Sequence, residues 1–277
     1  MRLIKFLNEE HQQQILQSSI SNDALLIDIK KNCQKFLKDI KGKNPQESTL
    51  WRGSNHDNGK YKVSKFRKPR DTHKIAHEFI DKIYSSLFGI KLRSESLFCS
   101  KVPGQTTPYG SLRIIIPIGN YKLYQNTKMF DMYGLFRYDS SAYEIYTFSE
   151  IPFENILKKY NVELLIDSFS LSIFHPLNVI SNFKTPKNVW ASKLPSSNYM
   201  IGSDDRKHEH GTKLSYNEMC KKIIDPICKE LLKEIKEIIS ETKQVSLDTK
   251  SSNEIMVVCN EFWLLDNKTY QSILSLL

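Results

Sequence analysis

The amino-acid sequence predicts an α+β protein built from short strands and amphipathic helices. In several segments apolar residues recur at three- and four-residue steps, which is the spacing of one helix face. Between these segments lie short runs rich in β-branched and aromatic residues that end at glycine or at a polar turn. Hydrophobic residues make up 40% of the chain and charged residues 26%, which is typical of a globular protein.

The first half of the chain is predicted to alternate helices with strands. Apolar spacing and a terminal glycine mark each helix, and β-prone runs mark the strands. The predicted elements are a helix over 22–41, a strand over 48–53, a polar and basic loop over 54–71, a helix over 72–89, a strand over 96–100 and turns over 103–110. Residues 113–118 and 121–124 then predict two strands joined by Gly119 and Asn120 as a tight hairpin.

The second half predicts a long helix near the C-terminus. A short strand is predicted over 133–138, and residues 151–211 are predicted to be an insertion or surface lobe of a single domain spanning 1–277. Asp225 followed by Pro226 is a helix start signal, and Pro226 either kinks this helix or begins a new one. After a polar linker come strands over 254–258 and 261–265, predicted to pair, and a closing helix over 270–277.

Composition excludes several classes of protein. The N-terminus has no apolar run typical of a signal peptide, and no segment approaches the roughly 18 apolar residues of a membrane helix, so we expect a cytoplasmic protein without membrane contact. The five cysteines form no CxxC pair, and His208–His210 lacks an identifiable third ligand, so no metal is expected. Neither GxGxxG, a Walker A loop nor GxSxG occurs.

A net charge of +9 favours an acidic partner, although lysines scattered over a solvated surface produce the same total. The densest basic segment follows Tyr61 and is the candidate contact for nucleic acid. Its basic residues are Lys65, Arg67, Lys68 and Arg70.

Three predicted strands end or begin with residues that carry chemistry. Arg52 precedes Gly53, a pairing that suits a pyrophosphate because a guanidinium forks onto phosphate oxygens while glycine lets the backbone approach. Ser100 ends a second strand with a hydroxyl, and Glu254 begins a later strand with a carboxylate. The order along the chain is therefore arginine, serine, glutamate.

This order resembles the Arg-Ser-Glu class of mono-ADP-ribosyltransferases. Residues 50–53 match the family's Leu-Tyr-Arg-Gly strand with tryptophan for tyrosine, and residues 98–110 are similar to its Ser-Thr-Ser strand end followed by an aromatic–glycine pair. Residues 253–265 are similar to its Glu-x-Glu strand and the aromatic strand that follows. Residues 68–72 and 116–119 also look like parts of uncharacterised proteins of large tailed phages.

The resemblance implies a fold of two small antiparallel or mixed sheets that form a cleft for NAD, used as a substrate. It implies that Glu254 stabilises the ribose cation, that Arg52 holds phosphates or ribose and that Ser100 braces the site. The remaining implied NAD contacts are Gly53, Cys99, Tyr109 and Trp263. The acceptor of ADP-ribose would be a host or viral macromolecule.

The sequence departs from the family at two places. Ser252 stands where the family has the first acid of Glu-x-Glu, so modification of arginine is put in doubt and another acceptor or hydrolysis of NAD is favoured. The Ser-Thr-Ser element is reduced to residues 98–100, which leaves open whether Cys99 or Ser100 faces the site. The alternative function is a non-catalytic phage structural or nucleic-acid-binding protein with a related fold.

Overall fold

The computed structural model describes residues 14–18, 21–65, 74–129 and 225–277. The chain divides into two compact units. The first contains Met1–Arg70, Ile80–Asp131 and Ser240–Leu277, and the second contains Asp71–Phe79 and Met132–Ile239.

Helices and short antiparallel strands make up the described residues. In chain order they are β1 (Gln14–Ser18), α1 (Asn22–Asn32), α2 (Gln34–Ile40), α3 (Pro45–Ser48), β2 (Trp51–Ser54), β3 (Gly59–Lys62), α4 (Lys74–Phe88), α5 (Leu92–Glu95), β4 (Leu97–Cys99), β5 (Ser111–Ile118), β6 (Lys122–Asn126), α6 (Asp225–Ser240), β7 (Thr242–Val245), β8 (Ile255–Val258), β9 (Glu261–Leu265) and α7 (Asn267–Leu274). Two 3-10 turns, Pro103–Gln105 and Thr107–Tyr109, connect β4 to β5.

All strands among the described residues belong to two antiparallel sheets in the first unit. Sheet A has five strands in the order β1-β3-β9-β5-β2, and sheet B has four in the order β4-β8-β6-β7. The sheets meet where Trp51 on β2 forms an isolated antiparallel bridge with Ser100, just after β4. The prediction of an α+β protein with two small sheets and a long helix near the C-terminus is confirmed at this level.

The core of the first unit lies between the strands and three helices. α7 packs against α1 and β5, and α2 also packs against β5. The central strands β5, β8 and β9 are buried over most of their length because they have a neighbour on both edges. Trp263, Phe262 and Phe36 are among the largest fully buried side chains.

Both predicted strand pairings between consecutive strands are wrong. β5 lies in sheet A and β6 in sheet B, and likewise β8 lies in sheet B and β9 in sheet A. The connecting backbone bonds elsewhere instead of closing hairpins. The N–H of Gly119 donates to the Asn32 carbonyl at 2.8 Å, and the Asn260 carbonyl accepts from the N–H of Val63 at 2.9 Å. The chain therefore changes sheet at both connections.

Two segments that we expected to be loops contain strands. β3 lies within the predicted basic loop, where Tyr61 is buried and stacks on Phe262 with ring centroids 5.7 Å apart. β7 lies within the predicted linker and forms one edge of sheet B. Both strands carry polar exposed residues, which hid them from a pattern that weighs hydrophobicity, since a strand of an antiparallel sheet needs only one apolar face.

Helix boundaries follow local signals. The predicted helix over 22–41 is divided at Cys33, where the backbone leaves the helical region at φ −109° and ψ 32°. α6 begins at Asp225 and is a single helix with Pro226 in its first turn, where proline costs no hydrogen bond. α7 begins earlier than predicted because Asp266 caps it, accepting from the N–H of Thr269 at 2.7 Å.

Two predictions lie outside the described residues, namely the strand over 133–138 and the lobe over 151–211. The single-domain assignment therefore stays a prediction. Within the part of the chain that is described, no helix combines the length and the apolar character needed to cross a membrane.

Candidate functional site

Among the described residues, the two sheets are joined by the backbone bridge between Trp51 and Ser100. The N–H of Trp51 donates to the Ser100 carbonyl at 2.9 Å, and the N–H of Ser100 donates back to the Trp51 carbonyl at 2.8 Å. β4, which ends just before Ser100, pairs with β8, and its last pair places Cys99 opposite Ile255. Continuing that register by one residue sets Glu254 beside Ser100. Arg52, Ser100 and Glu254 are thus brought to three adjacent strands, whose spacing places the outer two backbones about 10 Å apart.

The pairing of β2 with β4 ends at Arg52, immediately after the bridge. In a continuing antiparallel ladder, the next hydrogen bond would join the N–H of Gly53 to the carbonyl of Phe98. That carbonyl instead accepts from Nη1 of Arg52 at 3.0 Å. The guanidinium therefore ends the ladder, and the N–H and C=O of Gly53, which alternation turns away from β5, face the opening between the two strands.

Gly53 is required by the loop that follows β4. A Cβ atom at this position would lie 2.0 Å from the Thr106 carbonyl oxygen and 2.8 Å from Cβ of Tyr109. The second 3-10 turn therefore rests directly on the backbone of β2. Tyr109 keeps 43% of its surface exposed there, so the structure leaves this predicted ring contact accessible and next to Arg52.

A second arginine, Arg113, lies directly opposite Arg52 on β5. Partners in an antiparallel pair direct their side chains to the same face, and like charges in that position repel. Each side chain has a fixed anchor, since Nε of Arg113 donates to the His56 carbonyl at 3.0 Å while Arg52 reaches Phe98. Arg113 also lowers the pKa of the Asp266 carboxyl, a smaller cause than the hydrogen bonds from Thr269 and Asn58. Two half-buried guanidinium groups on one face suit an anion with several oxygens.

Glu254 forms an ion pair with Arg93, a residue that sequence reasoning missed. Nη1 of Arg93 lies 3.2 Å from Oε2 of Glu254, and the side chains are 8% and 27% exposed respectively. The Arg93 guanidinium also lies 4.4 Å from the centroid of the Phe98 ring. The phenylalanine that replaces the first serine of the expected motif thus contacts both arginines, Arg52 through its carbonyl and Arg93 through its ring.

Buried amides position the residue before Glu254. The carbonyl of Asn253 accepts from Nε2 of Gln125 at 2.8 Å, and Nδ2 of Asn253 donates to the Asn126 carbonyl at 2.8 Å. Nδ2 of Asn126 in turn donates to the Thr242 hydroxyl at 3.2 Å. Gln125 and Asn126 are 2% and 3% exposed. The start of β8 is therefore held by hydrogen bonds that water cannot easily replace.

Cys99 is 3% exposed, and its predicted contact with NAD stays a prediction. The thiol lies in the hydrophobic core, and burial raises its pKa to about 12. Arg52 and Lys101 act in the opposite direction on this pKa, while Glu254 raises it further. The positive and negative groups of the junction therefore surround one buried thiol, which fills space and carries no charge.

Ser100 is also buried, and its hydroxyl is turned into the loop that follows. Its Oγ donates to Oε1 of Gln105 and accepts from the N–H of Val102 at 2.9 Å. The sequence left open whether Cys99 or Ser100 faces the site. The Ser100 hydroxyl stabilises the turn that packs on Gly53. The hydroxyl supports the site through this turn.

Trp263 is buried, and its predicted contact with NAD stays a prediction. It is 0% exposed in the centre of sheet A, and its indole N–H donates to Oδ2 of Asp28 at 2.8 Å. The aromatic residues of β9, which follow Glu254 in the sequence, therefore indicate a buried strand of the fold. Because we predicted that β8 pairs with β9, the sequence did not indicate that both faces of β9 are buried.

Most of the predicted basic segment cannot be placed. Lys65 lies within the described residues, whereas Arg67, Lys68 and Arg70 lie outside them, as do His208–His210. In the described ranges no group of three or more histidine, cysteine, aspartate or glutamate side chains could hold a metal ion. Contact with nucleic acid stays a prediction.

Arg93 and Arg113 are the site residues that sequence reasoning did not find. Arg93 lies on the short helix α5, five residues before the expected motif, and carries no motif of its own. Arg113 could have been found, since it begins the apolar part of a predicted strand, where a charge is unexpected. Comparison of the chain with protein-family models, curated proteins and solved structures finds no match.

Proposed function

We propose that the chain is an NAD-dependent ADP-ribosyltransferase. It would cleave NAD at the bond between nicotinamide and ribose and transfer ADP-ribose to a macromolecular acceptor. One observation supports the proposal: Arg52 on β2, Ser100 just after β4 and Glu254 just before β8, chosen from separate segments of the sequence, lie at the junction of two small sheets.

The cationic side of the junction suits the diphosphate of NAD. Arg52 and Arg113 lie opposite each other on one face of sheet A, and a diphosphate between them would relieve their repulsion. The backbone of Gly53 would bond the carboxamide of nicotinamide, because its N–H and C=O face the opening beside Arg52. Tyr109, which rests on Gly53, would contribute an aromatic face.

The carboxylate side suits the chemical step. The nicotinamide of NAD is a pyridinium, so it departs with the electron pair of the bond to ribose and needs no proton. A cation with oxocarbenium character then remains on the ribose, and the negative charge of Glu254 would stabilise it. A nucleophilic atom of the acceptor forms the new bond to the same ribose carbon and releases its proton to solvent.

The acceptor is a macromolecule whose nucleophile needs little activation by the enzyme. Ser252 supplies no carboxylate two residues before Glu254, and Arg93 occupies one side of that glutamate. Water in place of the acceptor would give free ADP-ribose. We therefore expect hydrolysis of NAD to be measurable without any acceptor.

The test measures nicotinamide release from NAD by the purified full chain, and transfer of label from NAD to macromolecules of a bacterial lysate. We expect release by the wild type and its loss, by roughly 1000-fold, in Glu254→Gln, which is about 4 kcal/mol of transition-state stabilisation. Glu261→Gln is the matched control, because Glu261 also lies at the start of a strand and pairs with a cation, Lys60, at 3.3 Å.

Absence of both release and labelling in the wild type would refute the enzymatic proposal. The alternative, a non-catalytic binding protein, would then require salt-dependent binding of nucleic acid that weakens when Lys65, Arg67, Lys68 and Arg70 are neutralised. Equal release by Glu254→Gln and by the wild type would instead assign the activity to another site.

A further inference from the structure

We propose that Arg93 is a positioning residue that fixes the Glu254 carboxylate for the reaction. This inference rests on the proposed function. It assigns to α5 a role that neither composition nor motif indicates. The observations that carry it are the ion pair itself, the contacts that immobilise the guanidinium, and the difference in exposure between its two members.

The backbone of Arg93 is fixed by a buried carboxylate. Oδ1 of Asp81 accepts from the N–H of Arg93 at 2.8 Å, and Oδ2 accepts from the hydroxyl of Ser94. Asp81 is 4% exposed. Since α5 is a single turn of helix, this anchor determines where the Arg93 side chain begins.

The guanidinium is fixed by the Phe98 ring. The separation of 4.4 Å between the guanidinium carbon and the ring centroid is within the range of a cation–π contact, which strengthens when water is excluded. Phe98 is itself fixed, because β4 pairs it with Met256 on β8. Glu254 lies two residues before Met256. The cation that contacts Glu254 is therefore itself held by Phe98, the strand partner of Met256.

Exposure separates positioning from binding of substrate. The Arg93 side chain is 8% exposed and the Glu254 side chain 27%, so a ligand can approach the carboxylate while the cation lies behind it. Fixing a carboxylate in one orientation raises its effect on a developing positive charge, since no reorganisation is needed when that charge forms. Arg93 would thus act on the reaction only through Glu254.

The test compares Arg93→Met and Arg93→Lys with the wild type in nicotinamide release, as a function of NAD concentration and of pH. We expect Arg93→Met to lower kcat roughly 10- to 100-fold with little change in KM. Its rate should also fall at a higher pH than that of the wild type as the solution is acidified, because the carboxylate has lost its cation. Arg93→Lys keeps the charge and should recover part of kcat.

Lys60→Met is the matched control, since it removes the cation of the Lys60–Glu261 ion pair, which has a similar length of 3.3 Å. Unchanged kcat and pH profile in Arg93→Met would overturn the positioning role and leave the proposed function intact. A rise in KM at unchanged kcat would also overturn it, because Arg93 would then bind NAD. If Arg93→Met does not fold, Arg93→Gln is measured in its place, and an unchanged kcat in that variant overturns the role. A wild type that releases no nicotinamide refutes both proposals together.

Discussion

Sheet A and sheet B contribute opposite charges to their junction and hold them in different ways. Sheet A supplies Arg52 and Arg113 from the interior of two paired strands, so ladder hydrogen bonds fix both backbones. Sheet B supplies Glu254, which precedes β8 and so lies outside the ladder. Side chains hold it there, Arg93 directly and Gln125 through Asn253.

This difference predicts two kinds of defect. A change on the sheet A side removes a contact with the phosphates but leaves the carboxylate in place, and it should raise KM. A change on the sheet B side leaves the arginines in place but loosens Glu254, and it should lower kcat. Residues that only build the strands should change stability alone.

The largest effect in this comparison is expected from Arg52→Met. Removing a guanidinium that pairs with phosphate costs about 2 to 5 kcal/mol, so kcat/KM should fall about 30-fold or more, mainly through KM. Steady-state nicotinamide release measures both constants. Lys60→Met, in the same sheet, is the control for loss of one positive charge. A fall confined to kcat would contradict the assignment of sheet A to binding.

The next effect is expected from Gly53→Ala. The added Cβ would meet the Thr106 carbonyl oxygen at 2.0 Å, so the turn must move away from β2. We expect the free energy of unfolding to fall by up to about 3 kcal/mol, with a rise in KM as Tyr109 moves. Gly104→Ala is the control, because no atom lies within 4 Å of its Cβ position. Equal denaturant midpoints for the two variants would argue against this packing.

The sequence predicted elements better than their partners. Helix faces and strands were legible because local periodicity determines them, as with the spacing of Ile227, Leu231 and Ile235 along α6. The pairing of β5 with β9 and of β8 with β4 could not be predicted, since a connection of two or three residues between strands is equally compatible with a change of sheet. The change of sheet is accompanied by hydrogen bonds to acceptors distant in sequence, such as the bond from the N–H of Gly119 to the Asn32 carbonyl.

The candidate site shows the same limit. Arg52 and Glu254 were found because each was predicted at the end of a strand within a motif. Arg93 was missed because its role depends on the Phe98 ring and on a carboxylate 161 residues away. Trp263 was predicted to contact NAD although an aromatic residue near a motif gives no indication of its burial, and it is 0% exposed. Partners distant in sequence are determined by packing, which one sequence does not reveal.

A smaller effect is expected from Gln125→Leu, on the sheet B side. The change leaves the Asn253 carbonyl without its donor in a buried place, which costs about 1 to 3 kcal/mol. Glu254 should then be less well fixed, so kcat should fall several-fold while KM stays near that of the wild type. Gln244→Leu is the control, since Gln244 is exposed on neighbouring β7. A rise in KM without loss of kcat would remove the link between this network and the carboxylate.

The smallest effect is expected from Asp28→Asn. This variant tests whether Trp263 stabilises sheet A without taking part in binding. The amide still accepts from the Trp263 indole, which now bonds a carboxylate oxygen at 2.8 Å, but this hydrogen bond loses its charge. A charge-assisted bond is worth more than a neutral one, so the free energy of unfolding should fall by about 1 kcal/mol. Both kcat and KM should equal those of the wild type, because Trp263 is fully buried. Asp23→Asn, exposed near the start of the same helix, should change stability less. A change in KM in Asp28→Asn would return Trp263 to the site and weaken the division between a binding face and a structural interior.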